Sequence, residues 1–79
     1  MNTILFSERE EIRDNTFLFP FRCSDAIGIR TELRPAERSD SENEKLRLLH
    51  ERITSVLQSR GYEVISISFW SMLITAKKV

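Results

Sequence analysis

A cysteine and a histidine could together support nucleophilic catalysis in this 79-residue sequence, but they lie far apart in the chain. Cys23 is its one cysteine and His50 its one histidine. Arg22 lies next to Cys23, and a neighbouring cation is one feature of reactive cysteines, but a catalytic cysteine also needs an imidazole base. Only the tertiary fold could bring Cys23 and His50 together. We therefore expect a structural thiol and an exposed helix histidine, and we predict no catalytic residue.

The sequence also lacks the motifs of metal and phosphate chemistry. It contains no HExxH motif, no cysteine pair and no histidine cluster, so we predict no metal site and no cofactor. The two glycines, Gly28 and Gly61, stand in unrelated contexts and form no phosphate-binding loop. Glu42 and Glu44 fall where a helix is predicted to begin, and there carboxylates favour the helix dipole. We predict that the protein is not an enzyme.

The stretch "SISFWSML" holds the residues most typical of a protein-binding surface. Trp70 is the only tryptophan of the chain, and tryptophan and methionine are enriched at protein interfaces. Phe69 continues the alternation of Ile65 and Ile67, which predicts a core position for it. In an extended strand Trp70 would then point to the opposite face of the sheet. We predict Trp70 and Met72 as partner-binding residues.

Arginines supply the other predicted contacts. Nine of the twelve basic residues are arginine, and arginine suits flat, bidentate contacts at interfaces better than lysine does. The segment "AIGIRTEL" alternates like a half-buried strand, in which the buried face would carry Ile27, Ile29, Thr31 and Leu33. Arg30 and Arg34 would be exposed charges on the outer side of this strand. We predict both as partner-binding residues.

A nucleic-acid-binding role is the alternative. Four arginines recur through the segment Arg22–Arg38, directly after the aromatic run "FLFPF", and basic residues interleaved with aromatics can hold a single strand. Acidic residues interrupt the segment, and the chain has 12 basic and 12 acidic side chains and no net charge. That balance argues against a protein that works by covering phosphates. Phe17, Phe19 and Phe21 also alternate as core aromatics do.

Length and composition indicate a single domain over residues 1–79. Hydrophobic residues make up 41% and charged residues 30% of the chain, which is typical of a globular protein. One cysteine excludes a disulfide within the chain and favours a reducing compartment. No basic residue precedes the short apolar run near the N-terminus, and no run approaches the roughly 20 residues that span a bilayer. We expect a cytoplasmic protein with no membrane partner.

The strongest local pattern predicts one long amphipathic helix, about Ser41–Arg60. Ser41 and Glu44 have the spacing of a capping box, and Gly61 follows the last turn, where a left-handed residue commonly ends a helix. Leu48 lies off the centre of the apolar face. The stripe itself recurs at spacings of three and four residues and consists of Leu46, Leu49, Ile53, Val56 and Leu57.

Four further segments favour strands, namely "NTILF", "TFLFPFR", "AIGIRTEL" and "YEVISISFWSMLITAKKV". Pro20 cannot donate to a sheet ladder, so "TFLFPFR" is predicted as an edge strand or as a strand that ends early. The last segment is too long for one strand, and two strands with a turn near Phe69–Ser71 fit it better. For Ser7–Asn15, Ser7 and Glu10 have the spacing of a capping box, and a short helix and a charged loop fit equally well.

Together these elements predict an α+β fold, with a small antiparallel sheet of four to five strands and the helix packed on one face. The other face of the sheet would be bare unless a partner buries it. We hypothesise a non-enzymatic protein–protein interaction module, a regulator, adaptor or inhibitor, that contacts another protein or a second copy through the sheet around Trp70. Its small size and lack of motifs favour an origin in a phage or mobile element.

Overall fold

A computed structural model describes residues 4–79 of the chain. Its strands are β1 (Ile4–Phe6), β2 (Glu10–Arg13), β3 (Thr16–Cys23), β4 (Tyr62–Ser68) and β5 (Leu73–Lys78), and its helix is α1 (Asp40–Ser59). The strands form one sheet in the order β1-β3-β5-β4, β2 also pairs with β3, and every pairing is antiparallel. The predicted α+β fold is confirmed. Asn2 and Thr3 of "NTILF" lie outside the described residues.

The helix starts and stops where local chemistry favours it. Ser39 Oγ accepts a hydrogen bond from the Glu42 N–H at 3.1 Å, and the Glu42 carboxylate accepts one from the Ser39 N–H at 2.9 Å. This capping box lies two residues before the predicted one at Ser41, so the helix begins one residue early. Gly61 ends it at φ +87°, as predicted, in a conformation that costs other residues about 1–2 kcal/mol.

The apolar stripe of α1 packs on one face of the sheet and forms the core. Val56 is half-buried and Leu48 is exposed, as its off-centre position predicts. Ile53, Leu57 and Ile74 are fully enclosed. The remaining buried apolar residues are Phe19, Phe21, Cys23, Leu46, Leu49, Tyr62 and Ala76. The predicted core role of the alternating phenylalanines is therefore confirmed for Phe19 and Phe21.

The prediction that "TFLFPFR" forms an edge strand is wrong, because β3 is the centre of the sheet. It pairs with β5 on one side and with β1 and β2 in turn on the other. Pro20 lies opposite the break between β1 and β2, where its carbonyl accepts a hydrogen bond from the Ser7 N–H at 2.8 Å. The N–H and C=O of a strand residue point to the same side, so an N–H at position 20 would also face this break. The absence of an N–H in Pro20 therefore removes no hydrogen bond from the pairing of β3 with β5.

Both predictions for Ser7–Asn15 are wrong, since the segment contains a strand. β2 forms a hairpin with β3, and Asn15 turns the chain at φ +57°. The Asn15 N–H donates to the Glu11 carboxylate at 3.1 Å. Asp and Asn tolerate such turn conformations well, and this signal outweighs the capping-box spacing of Ser7 and Glu10.

The segment "AIGIRTEL" is not a strand either. After a 3₁₀ turn at Ser24–Ala26, the chain makes further turns as far as a second 3₁₀ turn at Pro35–Glu37. Gly28 has φ +86°, which interrupts an extended backbone. Ile27, predicted on the buried face, is 81% exposed. We call residues 24–39 the connector, because they join β3 to α1.

The predicted β4–β5 hairpin is confirmed, with a four-residue turn at Phe69–Met72. Met72 has φ +56°. A register shift between Val64 and Ser66 makes a bulge, and it places Ile65 on the side of the sheet away from α1, 58% exposed. The prediction that Ile65 and Ile67 share the core face is therefore wrong, whereas Phe69 packs against the core as predicted.

Within residues 4–79, no helix combines the length and the apolar character that crossing a membrane requires.

Candidate functional site

Trp70 stands at the tip of the β4–β5 hairpin and is 74% exposed. The tip is held by Ser71, whose hydroxyl and N–H both bond to Ser68 Oγ, at 2.6 and 3.3 Å. Behind it, the Phe69 ring meets the edge of the Phe21 ring, with centroids 5.9 Å apart. Because the backbone turns here, the premise that Trp70 lies opposite Phe69 fails, and both residues line the same groove beside α1.

This groove has a volume of about 870 Å³ and three walls. The hairpin tip forms the first, the N-terminal half of α1 the second, and the connector the third. Apolar side chains come from all three walls: Leu33, Pro35, Leu46, Ile67, Phe69 and Trp70. Polar side chains complete the lining: Thr31, Arg38, Asn43, Arg47, His50, Glu51 and Ser68. An apolar lining with a few polar groups is the usual character of a binding site.

The connector wall is tied to α1 by Arg38 and Asn43. The Arg38 guanidinium donates to the Leu33 carbonyl and to Asn43 Oδ1, both at 2.9 Å. Asn43 in turn donates to the Pro35 carbonyl at 2.8 Å. These bonds hold Leu33 and Pro35 in place without regular secondary structure, so this wall of the groove is preorganised.

Arg30 performs a second anchoring role, at the start of α1. Its guanidinium donates to both carboxylate oxygens of Glu42, at 2.8 and 3.3 Å. The backbone N–H of Arg30 donates to the same carboxylate at 3.1 Å. Glu42 is also the capping residue that bonds Ser39. The Arg30 guanidinium, followed by the N–H groups of Ser39 and Arg30, holds the pKa of Glu42 well below its usual range.

This anchoring predicts an acid-dependent loss of stability. A lowered carboxyl pKa in the folded state stabilises the fold above the ordinary pKa of 4.5, and the stabilisation is lost as the pH falls below it. We expect Glu42→Gln to lower the thermal unfolding midpoint at pH 7, and the gap to wild type to shrink steadily below pH 4.5. Circular dichroism melts from pH 7 to pH 2 measure this.

Glu44→Gln is the matched control for that experiment. Glu44 lies on the same turn of α1, and its pKa is lowered by the hydrogen bond from Arg47. This pair is about half exposed on both sides, whereas the Glu42 side chain is only 16% exposed. Solvent screens exposed pairs, so we expect a smaller effect from Glu44→Gln. Equal effects from the two variants would contradict the anchoring role of Glu42.

The four predicted partner-binding residues do not form one surface. Trp70 lines the groove, whereas Arg30 is engaged with Glu42. The Arg34 side chain is 89% exposed and lies 3.6 Å from the Glu37 carboxylate. Met72 is half-buried and lines a separate hollow beside Leu5.

The sequence reasoning missed the connector wall of the groove, Leu33 and Pro35, and the helix residue His50. Leu33 was placed on the buried side of a strand that does not form. A helical-wheel projection does place His50 beside Leu46 and Arg47, but nothing local shows that the hairpin tip reaches this face.

Cys23 and His50, considered above for nucleophilic catalysis, lie on different elements of the fold. Cys23 is buried on β3, and His50 lies exposed on α1. No cluster of three or more metal-ligating side chains occurs among residues 4–79. No protein-family model, curated protein or solved structure matches the chain. The function is therefore inferred from the groove itself.

Proposed function

We propose that this protein is a non-enzymatic protein-binding domain that receives an apolar segment of another protein in the groove beside Trp70. The observation that carries the proposal is the exposure of 74% of the only tryptophan, next to apolar side chains from three walls. Such a domain would act as a regulator, adaptor or inhibitor, and we place it in the cytoplasm.

The energetics favour a partner at this position. An aromatic side chain buries about 150–250 Å², so covering the exposed part of Trp70 at about 25 cal/mol per Å² contributes roughly 3 kcal/mol. The free protein lacks this stabilisation, because its indole is exposed to water. Tryptophan is among the residues that most often dominate interface energies. The groove is open rather than enclosed, which suits side chains presented on a polypeptide better than a small molecule that must be largely buried.

The alternative, a nucleic-acid binder using Arg22–Arg38, has less support. Two of the four arginines in this segment are engaged within the chain, Arg30 with Glu42 and Arg38 with the connector carbonyls. Guanidinium groups already paired with carboxylates neutralise fewer phosphates. The aromatics before the segment are also occupied, since Phe19 and Phe21 are buried in the core.

Site-specific photocrosslinking tests the proposed function. A photoreactive amino acid at His50, in the groove, is expected to capture a protein in extract of the source cells, and Trp70→Ala in the same chain is expected to abolish the adduct. The matched control carries the photoreactive residue at Leu48, which is on the same helix but absent from the groove lining.

The captured protein is then purified and titrated into the chain. Binding is expected to shift the Trp70 emission to shorter wavelength, and Trp70→Ala is expected to weaken the affinity at least tenfold, since roughly 3 kcal/mol corresponds to about a hundredfold. Identical adducts from positions 48 and 50, or affinity unchanged in Trp70→Ala, would refute the proposal.

A further inference from the structure

The face of the sheet opposite α1 is apolar at its centre and carries no covering element among residues 4–79. The register identifies it: Leu18 and Pro20 alternate with the buried phenylalanines of β3, and Leu73 and Thr75 alternate with the buried residues of β5. These four are half-buried, whereas Thr16, at the end of β3 on the same side, is only 8% exposed. We call this the outer face. Three exposed apolar residues extend it, Leu5 on β1, Ile12 on β2 and Ile65 on β4.

Charges of both signs surround this apolar centre. The register places Arg22 beside Leu5, Glu10 beside Leu18, and Lys77 between Thr16 and Glu63. None of these four forms an ion pair within residues 4–79. In a two-fold dimer the same patch meets itself, so a patch with both signs can pair its cations with the anions of an identical patch. The zero net charge adds no overall repulsion between copies.

The dimensions of the molecule also fit a missing layer. Its extents are 37 × 24 × 17 Å, and the two longer ones enclose roughly 900 Å², which is an upper limit for the area of the outer face. A standard interface buries about 800 Å² on each partner. The radius of gyration is 12.7 Å, against about 11.6 Å for a free-standing domain of this length. The accessible surface of 5529 Å² exceeds the roughly 5,000 Å² of a monomer of this mass.

From these observations we infer that two copies of this chain pack through their outer faces into a homodimer, sheet against sheet, with the helices outside. Twisted sheets pack in this way about 10 Å apart. The inference does not depend on the proposed function, because the Trp70 groove lies on the α1 side and stays open in such a dimer. The dimer would present two grooves pointing away from each other.

Sedimentation equilibrium across a concentration series tests the dimer. The wild-type chain is expected to approach about 18.6 kDa, twice its 9.3 kDa mass, while Ile65→Glu remains a monomer at concentrations at least tenfold higher. Leu48→Glu is the matched control, because Leu48 has similar exposure, 49% against 58%, but lies on α1. It is expected to dimerise like wild type.

Circular dichroism establishes that each variant is folded. If Ile65→Glu does not fold, Ile12→Glu replaces it, because Ile12 lines the same shallow hollow as Ile65. Wild-type chain that sediments as a monomer up to about 1 mM would overturn the inference. Dissociation by Leu48→Glu with a dimer preserved in Ile65→Glu would overturn it too.

The fluorescence emission of Trp70 distinguishes dimerisation through the outer face from binding at the groove. This emission is expected to stay constant while the mass doubles, because the outer-face dimer leaves the groove open. A blue shift that accompanies dimerisation, together with a monomeric Trp70→Ala, would place self-association at the groove and overturn the outer-face dimer.

Discussion

Replacing Ile53 with alanine is expected to lower the free energy of unfolding by about 2–5 kcal/mol. Ile53 lies in the C-terminal half of α1, has no exposed surface and packs in the core between the helix and the sheet. The loss combines the transfer free energy of the deleted methyl and methylene groups with the cost of the cavity left behind. A domain of 79 residues has a total stability of about 4–12 kcal/mol, so this one change removes a large share of it.

Urea unfolding followed by far-UV circular dichroism measures this loss, at a fixed protein concentration because dimerisation would add to apparent stability. Tryptophan emission is a poor probe here, since Trp70 is already exposed in the folded chain. Ile53→Val is the control, with an expected loss of about 0.5–1.5 kcal/mol. A loss below 1 kcal/mol for Ile53→Ala would contradict the described packing of the core.

Phe21→Ala is expected to have the second large effect, about 3–5 kcal/mol. Phe21 is 2% exposed and its ring supports Phe69 at the hairpin tip. Its N–H also donates to the Met72 carbonyl at 3.1 Å. The substitution removes the support behind Phe69, so we expect the turn at Phe69–Met72 to loosen and the groove beside Trp70 to lose its shape.

Urea unfolding gives the stability loss, and amide hydrogen exchange gives the local effect. We expect the Ser71 amide, which bonds to Ser68 Oγ, to exchange faster in Phe21→Ala by a larger factor than amides near Gly61, at the far end of the hairpin. Phe21→Leu retains most of the apolar volume and serves as the control, with an expected smaller loss. Equal losses in the two variants would show that the ring does not support the turn.

In the proposed function and the inferred dimer, the two faces of the sheet bind different molecules. The α1 side presents Trp70 to a partner, and the outer face receives a second copy. A dimer with two grooves would bind a partner with two matching segments more tightly than a single domain does, through a raised effective concentration. Mutations on the two faces are expected to separate these activities, because no residue named for one face lines the other.

Local sequence patterns predicted the elements whose stability is local. The stripe through Leu46, Ile53 and Leu57 specifies an amphipathic helix because residues three and four apart share one face. Gly61 ends it because a left-handed backbone favours glycine. The length of the last apolar segment favoured two strands with a turn near Phe69–Ser71 over one long strand.

The predictions failed where a tertiary contact outweighed a local rule. Pro20 was expected at an edge, yet it sits in the central strand, because its missing donor points into the gap between β1 and β2. Arg30 was expected on a strand, yet its segment is held in turns by Glu42, twelve residues away. Neither the β1–β2 gap opposite Pro20 nor the contact between Arg30 and Glu42 can be identified from sequence spacing, since both depend on how distant parts of the chain meet.

The sequence by itself determined the class of the fold and the helix, because the periodicity of apolar residues is a property of neighbouring residues. It favoured the final hairpin and the aromatic core. Only the tertiary structure decided the two surfaces. The turn at Phe69–Met72 put Trp70 on the α1 side, and the bulge at Val64–Ser66 put Ile65 on the outer face. Each changes the direction of a side chain without changing the apolar pattern, so the pattern alone could not show which face either residue would occupy.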